Sequence, residues 1–284
     1  MKNIALFLSV LVITLTSCST NNGGSVVPIN PANNVLVKKI IHLDSNGTVL
    51  TTTTYTYNGN KIVSEFWKQN SFNMGTDVGY SYRIDYSYTG NLITNIKVNI
   101  TPLNQVERQV NNTNFAYDSN ENLISSIREQ YYDTFKIVLK ILYTQIDNNT
   151  QLYTMSLTDT RDNIENPVGN GKIIFDVNRN IFKMGSPDVV NAFSSFDYDS
   201  KSNPKKNILG FNKIIYFDLP PNFSVLPLKP HLDRSNNILK SNIPGYYPTN
   251  NQYVYNTDGY PTEMKQYYEY LGNNNLDGTF QFFY

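Results

Sequence analysis

The stretch YTYNGNKIVS, residues 55–64, holds an aromatic pair spaced by one residue, a polar turn with Asn58-Gly59, and an aliphatic start to the next run. In an extended chain residues i and i+2 share a face, so Tyr55 and Tyr57 lie on the same side of a sheet. Asn-Gly supplies the left-handed backbone positions that a tight hairpin requires. The ten residues therefore predict two antiparallel strands and the turn between them.

The same arrangement returns along the chain as YSYTGNLITNI from Tyr86, FAYDSNENLISSI from Phe115, FDVNRNIFKM from Phe175 and YVYNTDGYPTEM from Tyr253. The first aliphatic residue after the turn serves as a ruler, with marks at Ile62, Leu92, Leu123, Leu152 and Ile181. The marks stand about thirty residues apart, the length of one hairpin plus a connection, and such regularity is an internal repeat. An isolated hairpin is marginal in water, so neighbouring hairpins must pair edge to edge. Upstream, KKIIHLDSNGTVLTTTTYTY adds a further hairpin turning at Ser45-Asn46-Gly47 and sharing its second strand with the first repeat. The expected fold is all-β: an antiparallel meander of repeated hairpins, roughly fifteen strands, forming either an open twisted sheet or a closed barrel-like shell. Between about residues 204 and 248 the prolines crowd together, including Pro220-Pro221, Pro227, Pro230 and Pro244. Proline cannot donate to a ladder, so this segment is expected to be an irregular excursion from the single domain spanning 35–284.

Residues 1–17 form a separate segment, in which Lys2 precedes an apolar run from Ile4 to Leu15 that is too short for a spanning helix. It reads as a signal peptide. Leu15-Thr16-Ser17-Cys18 resembles the lipobox of bacterial lipoproteins, and that resemblance implies cleavage before Cys18 and lipid on its thiol. Cys18 is the chain's only cysteine, so no disulfide framework competes for it. Ser19 to Asn34 is rich in Ser, Asn, Gly and Pro; with the lipidated cysteine it forms a flexible tether over 18–34, reaching on the order of 50 Å when extended. Several acyl chains together give a stable anchor. The residues following Cys18 lack the acidic cluster that resembles a surface-export signal, which favours the periplasmic side of the outer membrane over the cell surface.

The hairpins resemble degenerate YD repeats, with the dipeptide kept at Tyr117-Asp118 and Tyr198-Asp199. The lipobox, the hairpins, the step from Tyr198 to Pro204 and the step from Tyr253 to Pro261 together resemble uncharacterised outer-membrane lipoproteins of Bacteroidota. That resemblance bears on fold and address and implies no activity. The C-terminal Phe280-Gln-Phe-Phe-Tyr284 also resembles the last strand of outer-membrane barrels. Outward repeat positions hold Ser, Thr and Asn, however, so a closing strand of a soluble sheet is expected.

Lys and Arg together equal Asp and Glu at 23 each, which gives nucleic acid no basis for binding. The membrane is expected to be a partner only through the lipid anchor. His42 and His231 are the only histidines. No histidine-rich metal site can be built from them, and no metal, cofactor or catalytic residue is expected. His231-Leu232-Asp233 beside Ser235 lacks a glycine elbow and reads as loop. Asp118, Asn120, Asn122 and Glu129 match calcium-loop spacing, but Leu123 stands where that loop needs glycine. Tyr131-Tyr132, Tyr246-Tyr247 and Tyr267-Tyr268 are candidate binding residues, because exposed tyrosine offers a flat apolar face and a hydroxyl at low entropic cost. The expected function is a non-enzymatic envelope module that binds or scaffolds, its ligand a glycan, a peptide or an envelope protein. The alternative is a carbohydrate-active or other envelope hydrolase using paired carboxylates.

Overall fold

Aromatic residues at alternate positions gain most when their shared face is sealed from water, and a hairpin meander seals one face completely only by closing on itself. The computed structural model describes residues 35–70, 79–186, 193–215, 217–218, 229–230 and 234–284, and it shows this closure. The strands are β1 (Lys39–Asp44), β2 (Val49–Asn58), β3 (Lys61–Gln69), β4 (Tyr80–Thr89), β5 (Leu92–Pro102) and β6 (Arg108–Tyr117). Next come β7 (Leu123–Tyr131), β8 (Lys136–Asp147), β9 (Thr150–Asp159), β10 (Ile164–Phe175), β11 (Ile181–Gly185) and β12 (Phe193–Ser202). Two short strands, β13 (Phe217–Asp218) and β14 (Lys229–Pro230), pair only with each other. The chain ends with β15 (Asn236–Asn242), β16 (Thr249–Tyr255), β17 (Pro261–Tyr270) and β18 (Asn273–Phe283). Apart from β13 and β14, each strand pairs antiparallel with the next, and β18 returns to β1 with Lys39 opposite Phe283 and His42 opposite Phe280. The sheet is a closed barrel of sixteen strands.

Two features modify the sequence expectation. The excursion at about 204–248 is not irregular throughout, since β15 lies inside it and supplies the barrel strand between β12 and β16. Asn236 to Asn242 contains no proline, which leaves its backbone able to pair. The ruler keeps its pitch, but two marks point the wrong way. Ile62, Leu123 and Ile181 are buried, while Leu152 is 38 % exposed and its neighbour Gln151 is buried instead; likewise it is Ile93, not Leu92, that is fully buried. With a period of two, a one-residue offset at a turn reverses the facing.

The repeat owes its regularity to a bulge. Register shifts fall between Thr56 and Tyr57, Ser87 and Tyr88, Ala116 and Tyr117, and Val254 and Tyr255, so the second aromatic of these four units sits at the same irregularity. A bulge re-aims its side chain. Here it turns the phenol toward the preceding hairpin: Tyr57 donates to the Val37 carbonyl at 2.8 Å, Tyr117 to that of Ile93 at 2.7 Å, and Tyr255 to the Asp199 carboxylate; Tyr198, at a further register shift on β12, donates to the Ile181 carbonyl at 2.9 Å. Tyr88 accepts from the Ile62 amide and donates to the Leu209 carbonyl. Gly59 and Gly90 hold the adjoining turns at φ 58° and 57°. In the longer turn Glu121 takes the left-handed position at φ 60°, and the Asp118 carboxylate accepts from the Asn120 and Asn122 amides.

Inward rows carry Tyr82, Ile84, Tyr86 and Tyr88 on β4 facing Ile100, Val98, Ile96 and Ile93 on β5. Outward rows carry Arg83, Asp85 and Ser87 on β4, then Asn95, Lys97 and Asn99 on β5. Arg83 pairs with Asp85 at 3.0 Å, and Lys140 with Glu165 at 3.5 Å, on the exposed exterior. On β4 and β5 the inward rows are thus apolar and aromatic and the outward rows polar.

At the end where the repeat turns lie, residues 203–215 cross the barrel opening. Ile208, Phe211, Ile214 and Ile215 are buried there, and the Leu209 amide donates to the Asn60 carbonyl at 2.9 Å.

Truncating Tyr117 to alanine is expected to cost about 3–5 kcal/mol, and replacing it with phenylalanine about 1 kcal/mol, since only the hydroxyl bond is then lost; thermal or denaturant unfolding measures both. Burial raises the phenol pKa of Tyr57, Tyr117 and Tyr143 above the ordinary 10.0, and that of Tyr88 to about 12. The unfolded chain loses these protons from about pH 10 while the folded chain keeps them, so stability falls as pH rises. Melting temperature should therefore decline steadily from pH 10 toward pH 12, with tyrosinate absorbance appearing together with unfolding rather than before it.

Candidate functional site

At the barrel end opposite the crossing segment, the chain leaves β15 through Ile243-Pro244-Gly245 and enters β16 after Pro248. The Tyr246 amide donates to the Ile243 carbonyl at 3.0 Å, with Gly245 at φ 83°. A turn, unlike a strand, lets two consecutive side chains project to the same side, and both Tyr246 and Tyr247 line one cavity of about 490 Å3. Tyr268 joins them from β17, its ring 6.1 Å from that of Tyr247, and Tyr270 meets Tyr247 edge-on at 5.2 Å.

The polar side of the cavity comes from inward positions of β15, β16 and β17 together with Asp277 on β18. Thr249 lies opposite Tyr268 and Asn251 opposite Gln266. Ser241 and Thr249 share a hydroxyl hydrogen bond of 2.6 Å. Asn251 donates to the Ile238 carbonyl at 2.8 Å, while its own oxygen is buried without a partner. Two amides, two hydroxyls, one carboxylate and three phenol rings converge on one opening. They can bind a hydroxyl-bearing ligand by hydrogen bonds and by stacking.

One step further down the same inward rows, Tyr253 and Met264 line a second cavity of about 360 Å3, together with His42, Trp67 and Phe280. The sequence suggested no buried partner for His42. In the structure its ring stacks on Phe280, centroids 4.1 Å apart and 4° from parallel. Gly278 makes the room: a β-carbon there would stand 2.6 Å from the His42 ring. Desolvation lowers the His42 pKa below 6.5, against the pull of Asp277 and Asp44.

Of the six tyrosines read as candidates, the cavity gathers Tyr246, Tyr247 and Tyr268. Tyr267 pairs with Asn250 on the outward face. Tyr131 donates to Glu129 at 2.6 Å, and Tyr132 stacks on Phe135 at 4.5 Å, both around the turn between β7 and β8. Cys18 and His231-Leu232-Asp233 lie outside the described residues. Ser235 is engaged with the backbone of Asn178 and the amide oxygen of Asn180. Asp118 and Asn122 are engaged in their own turn, and Glu129 pairs with Lys136, which accounts for the calcium-like spacing. Among the described residues no cluster of three or more His, Cys, Asp or Glu side chains is placed to hold a metal. Asn251, Gln266 and Asp277 were not legible as site residues, because only barrel register brings them together.

No protein-family model matches the chain, and no curated protein matches it. Among solved structures the chain is similar to a porin-like protein from Bacteroides uniformis ATCC 8492, at 12% identity and a TM-score of 0.47, over 86% of this chain and 95% of that one. It is also similar to a porin-like protein from Bacteroides vulgatus ATCC 8482, at 11% identity and a TM-score of 0.35, over 88% and 98% of the two chains.

The lowered His42 pKa has a consequence of definite sign. Below pH 6.5 the unfolded chain takes up a proton that the folded chain resists, so this contribution to stability is present above 6.5 and is lost as pH falls. His42→Gln is expected to remove that part of the pH dependence, measured as melting temperature between pH 5 and 7, a range above the ordinary carboxylate pKa values.

Proposed function

We propose that the protein is a lipid-anchored cell-envelope protein of the outer membrane that binds a carbohydrate in the tyrosine-lined cavity between β15 and β18. The observation that carries the binding reading is the convergence of Tyr246, Tyr247 and Tyr268 with Asn251, Gln266 and Asp277 around one opening. Sugars present flat patches of C–H beside rings of hydroxyls, and this pairing of phenol faces with amides and a carboxylate answers both.

The anchored reading is supported by the polarity of the barrel wall. A barrel that crosses a bilayer by its strands shows an outward apolar band, and a charged side chain there costs about 2–4 kcal/mol at the midplane. Lys97, Lys140, Glu165, Lys172 and Lys265 occupy outward positions of this barrel. Attachment through Cys18 and a tether over 18–34 lets such a wall stay in water, on the periplasmic side. Scaffolding of another envelope protein would use the outer wall and leave the cavity unexplained. The paired-carboxylate hydrolase gains no support, because among the described residues Asp277 is the only acid lining the cavity and the mechanism needs two.

A glycan array probed with the purified protein should give specific binding, reduced about tenfold by Tyr247→Ala, as expected for removal of one aromatic contact. Tyr247 is 56 % exposed, so the variant should melt with the wild type; binding unaffected by it would sink the site. Metabolic labelling with a palmitate analogue tests the anchor separately, with Cys18→Ala expected to lose the label.

A further inference from the structure

The opposite end of the barrel holds a cavity of different chemistry. About 440 Å3 in volume, it lies between the turns joining β6 to β7, β8 to β9 and β10 to β11, and the crossing segment closes one side. Arg179, Lys213 and Arg234 line it with the amides of Asn122, Gln145 and Gln151. Among the described residues Glu121 is the single acid in the lining, and it is matched to Lys213 at 3.7 Å. Among the described residues neither arginine has an acid within ion-pair distance.

Arg234 is only 4 % exposed, yet no carboxylate among the described residues lies within ion-pair distance of it. Its terminal nitrogens donate to the carbonyls of Asn212 at 2.8 Å, Ile214 at 3.0 Å and Arg179 at 3.4 Å, while its Nε is buried with no partner among the described residues. Arg179 and Arg234 both lie against the Phe175 ring, 4.1 Å and 5.2 Å from its centroid, so two like charges flank one apolar side chain. Asp176 offsets part of the Arg234 charge from beyond ion-pair distance, its carboxylate held by the Asn178 and Asn180 amides and the Asn180 side chain. Desolvation, with repulsion from Arg179 adding to it, lowers the Arg234 pKa to about 10. Neutral carbonyls hold the guanidinium in place without cancelling its charge, and a buried charge only partly offset is costly.

We infer that this cavity is a binding site for an anionic, hydroxyl-bearing small molecule, a sugar acid or a sugar phosphate. Its oxyanion group sits between Arg179 and Arg234, and its hydroxyls face Asn122, Gln145 and Gln151. A bare anion would fill only a small part of 440 Å3, and the amides supply both donors and acceptors for the remainder. A guanidinium suits carboxylate and phosphate equally, through two parallel donors.

Calorimetric titration of the purified protein with galacturonate, glucose 6-phosphate, inorganic phosphate and galactose tests the assignment and separates the two anion sources. At least one anionic sugar should bind more tightly than inorganic phosphate. Arg179→Gln should weaken it about tenfold or more, the factor that one charge-assisted contact supplies. Because Arg179 is exposed at the rim, that variant should melt with the wild type in anion-free buffer. Arg234→Lys keeps the charge and serves as a second variant, expected to weaken binding by loss of the fork. Galactose is the uncharged control: any heat it gives belongs to the tyrosine cavity and must vanish with Tyr247→Ala while surviving Arg179→Gln. Absence of binding by both anionic sugars at millimolar concentration would overturn the proposal. So would equal affinity for inorganic phosphate, or binding indifferent to Arg179→Gln.

Discussion

A ring of sixteen strands encloses more space than its own inward side chains fill; eight strands make a packed interior, whereas about twice that number ordinarily leave a channel. This chain must occupy the surplus or flood it. Two devices answer the problem. Inward rows are weighted with tyrosine and phenylalanine, the largest side chains that still tolerate a pleated strand. The chain also sends residues 203–215 across one opening, with Phe211 and three isoleucines buried in the barrel end. Arg234 fastens that segment by its carbonyls, and the tyrosine hydroxyls fasten neighbouring hairpins to one another. The filling is uneven. Buried residues concentrate beneath the crossing segment, while a cavity runs from that segment's start, at Asn203 to Lys205, down to His42 and Trp67, and another lies by Tyr268 at the other opening.

The hairpins were legible because each is a local object: two aromatics on one face, a turn residue with left-handed freedom, and an aliphatic restart all fall within about a dozen residues. Facing was harder to read. Leu92 and Leu152 satisfy the ruler, but the sequence does not reveal how many residues each turn consumes, and one residue decides whether a side chain sees the lumen or water. The strand from Asn236 to Asn242 was hidden by the prolines around it. Closure itself was left open between sheet and barrel, since nothing local distinguishes an edge that stays free from one that finds its partner far along the chain. The binding residues divide the same way. Tyr246 and Tyr247 could be singled out as an aromatic pair beside prolines, whereas Asn251, Gln266 and Asp277 are ordinary polar residues until three strands align them. Arg234 is buried by carbonyls from Asn212 and Ile214 that no sequence pattern announces.

Wall and lumen divide the charged residues in a telling way. On the outside, ion pairs such as Arg83 with Asp85 are exposed, where each contributes little to stability. Inside, Glu65 is 7 % exposed and accepts from Tyr86 at 2.6 Å with Lys205 at 3.9 Å. That pair joins β3 to the crossing segment, so separating them would leave a buried charge behind. Interior charges thus set where the crossing segment docks, and exterior ones keep the wall wetted.

The seam between β1 and β18 carries a kinetic meaning. Most neighbouring strands in the ring meet through a turn, so their pairing can nucleate within a short stretch; Lys39 and Phe283 meet only after almost the whole described chain has been laid out. Loop-closure entropy grows slowly with length, so the equilibrium cost of this last pairing is modest, but non-local pairing delays folding. Until it happens, β1 and β18 are two open edges, each able to template a strand from another molecule. The interval before the ring shuts is therefore when a second copy can substitute for the missing neighbour, and every turn elsewhere in the ring that forms early shortens it.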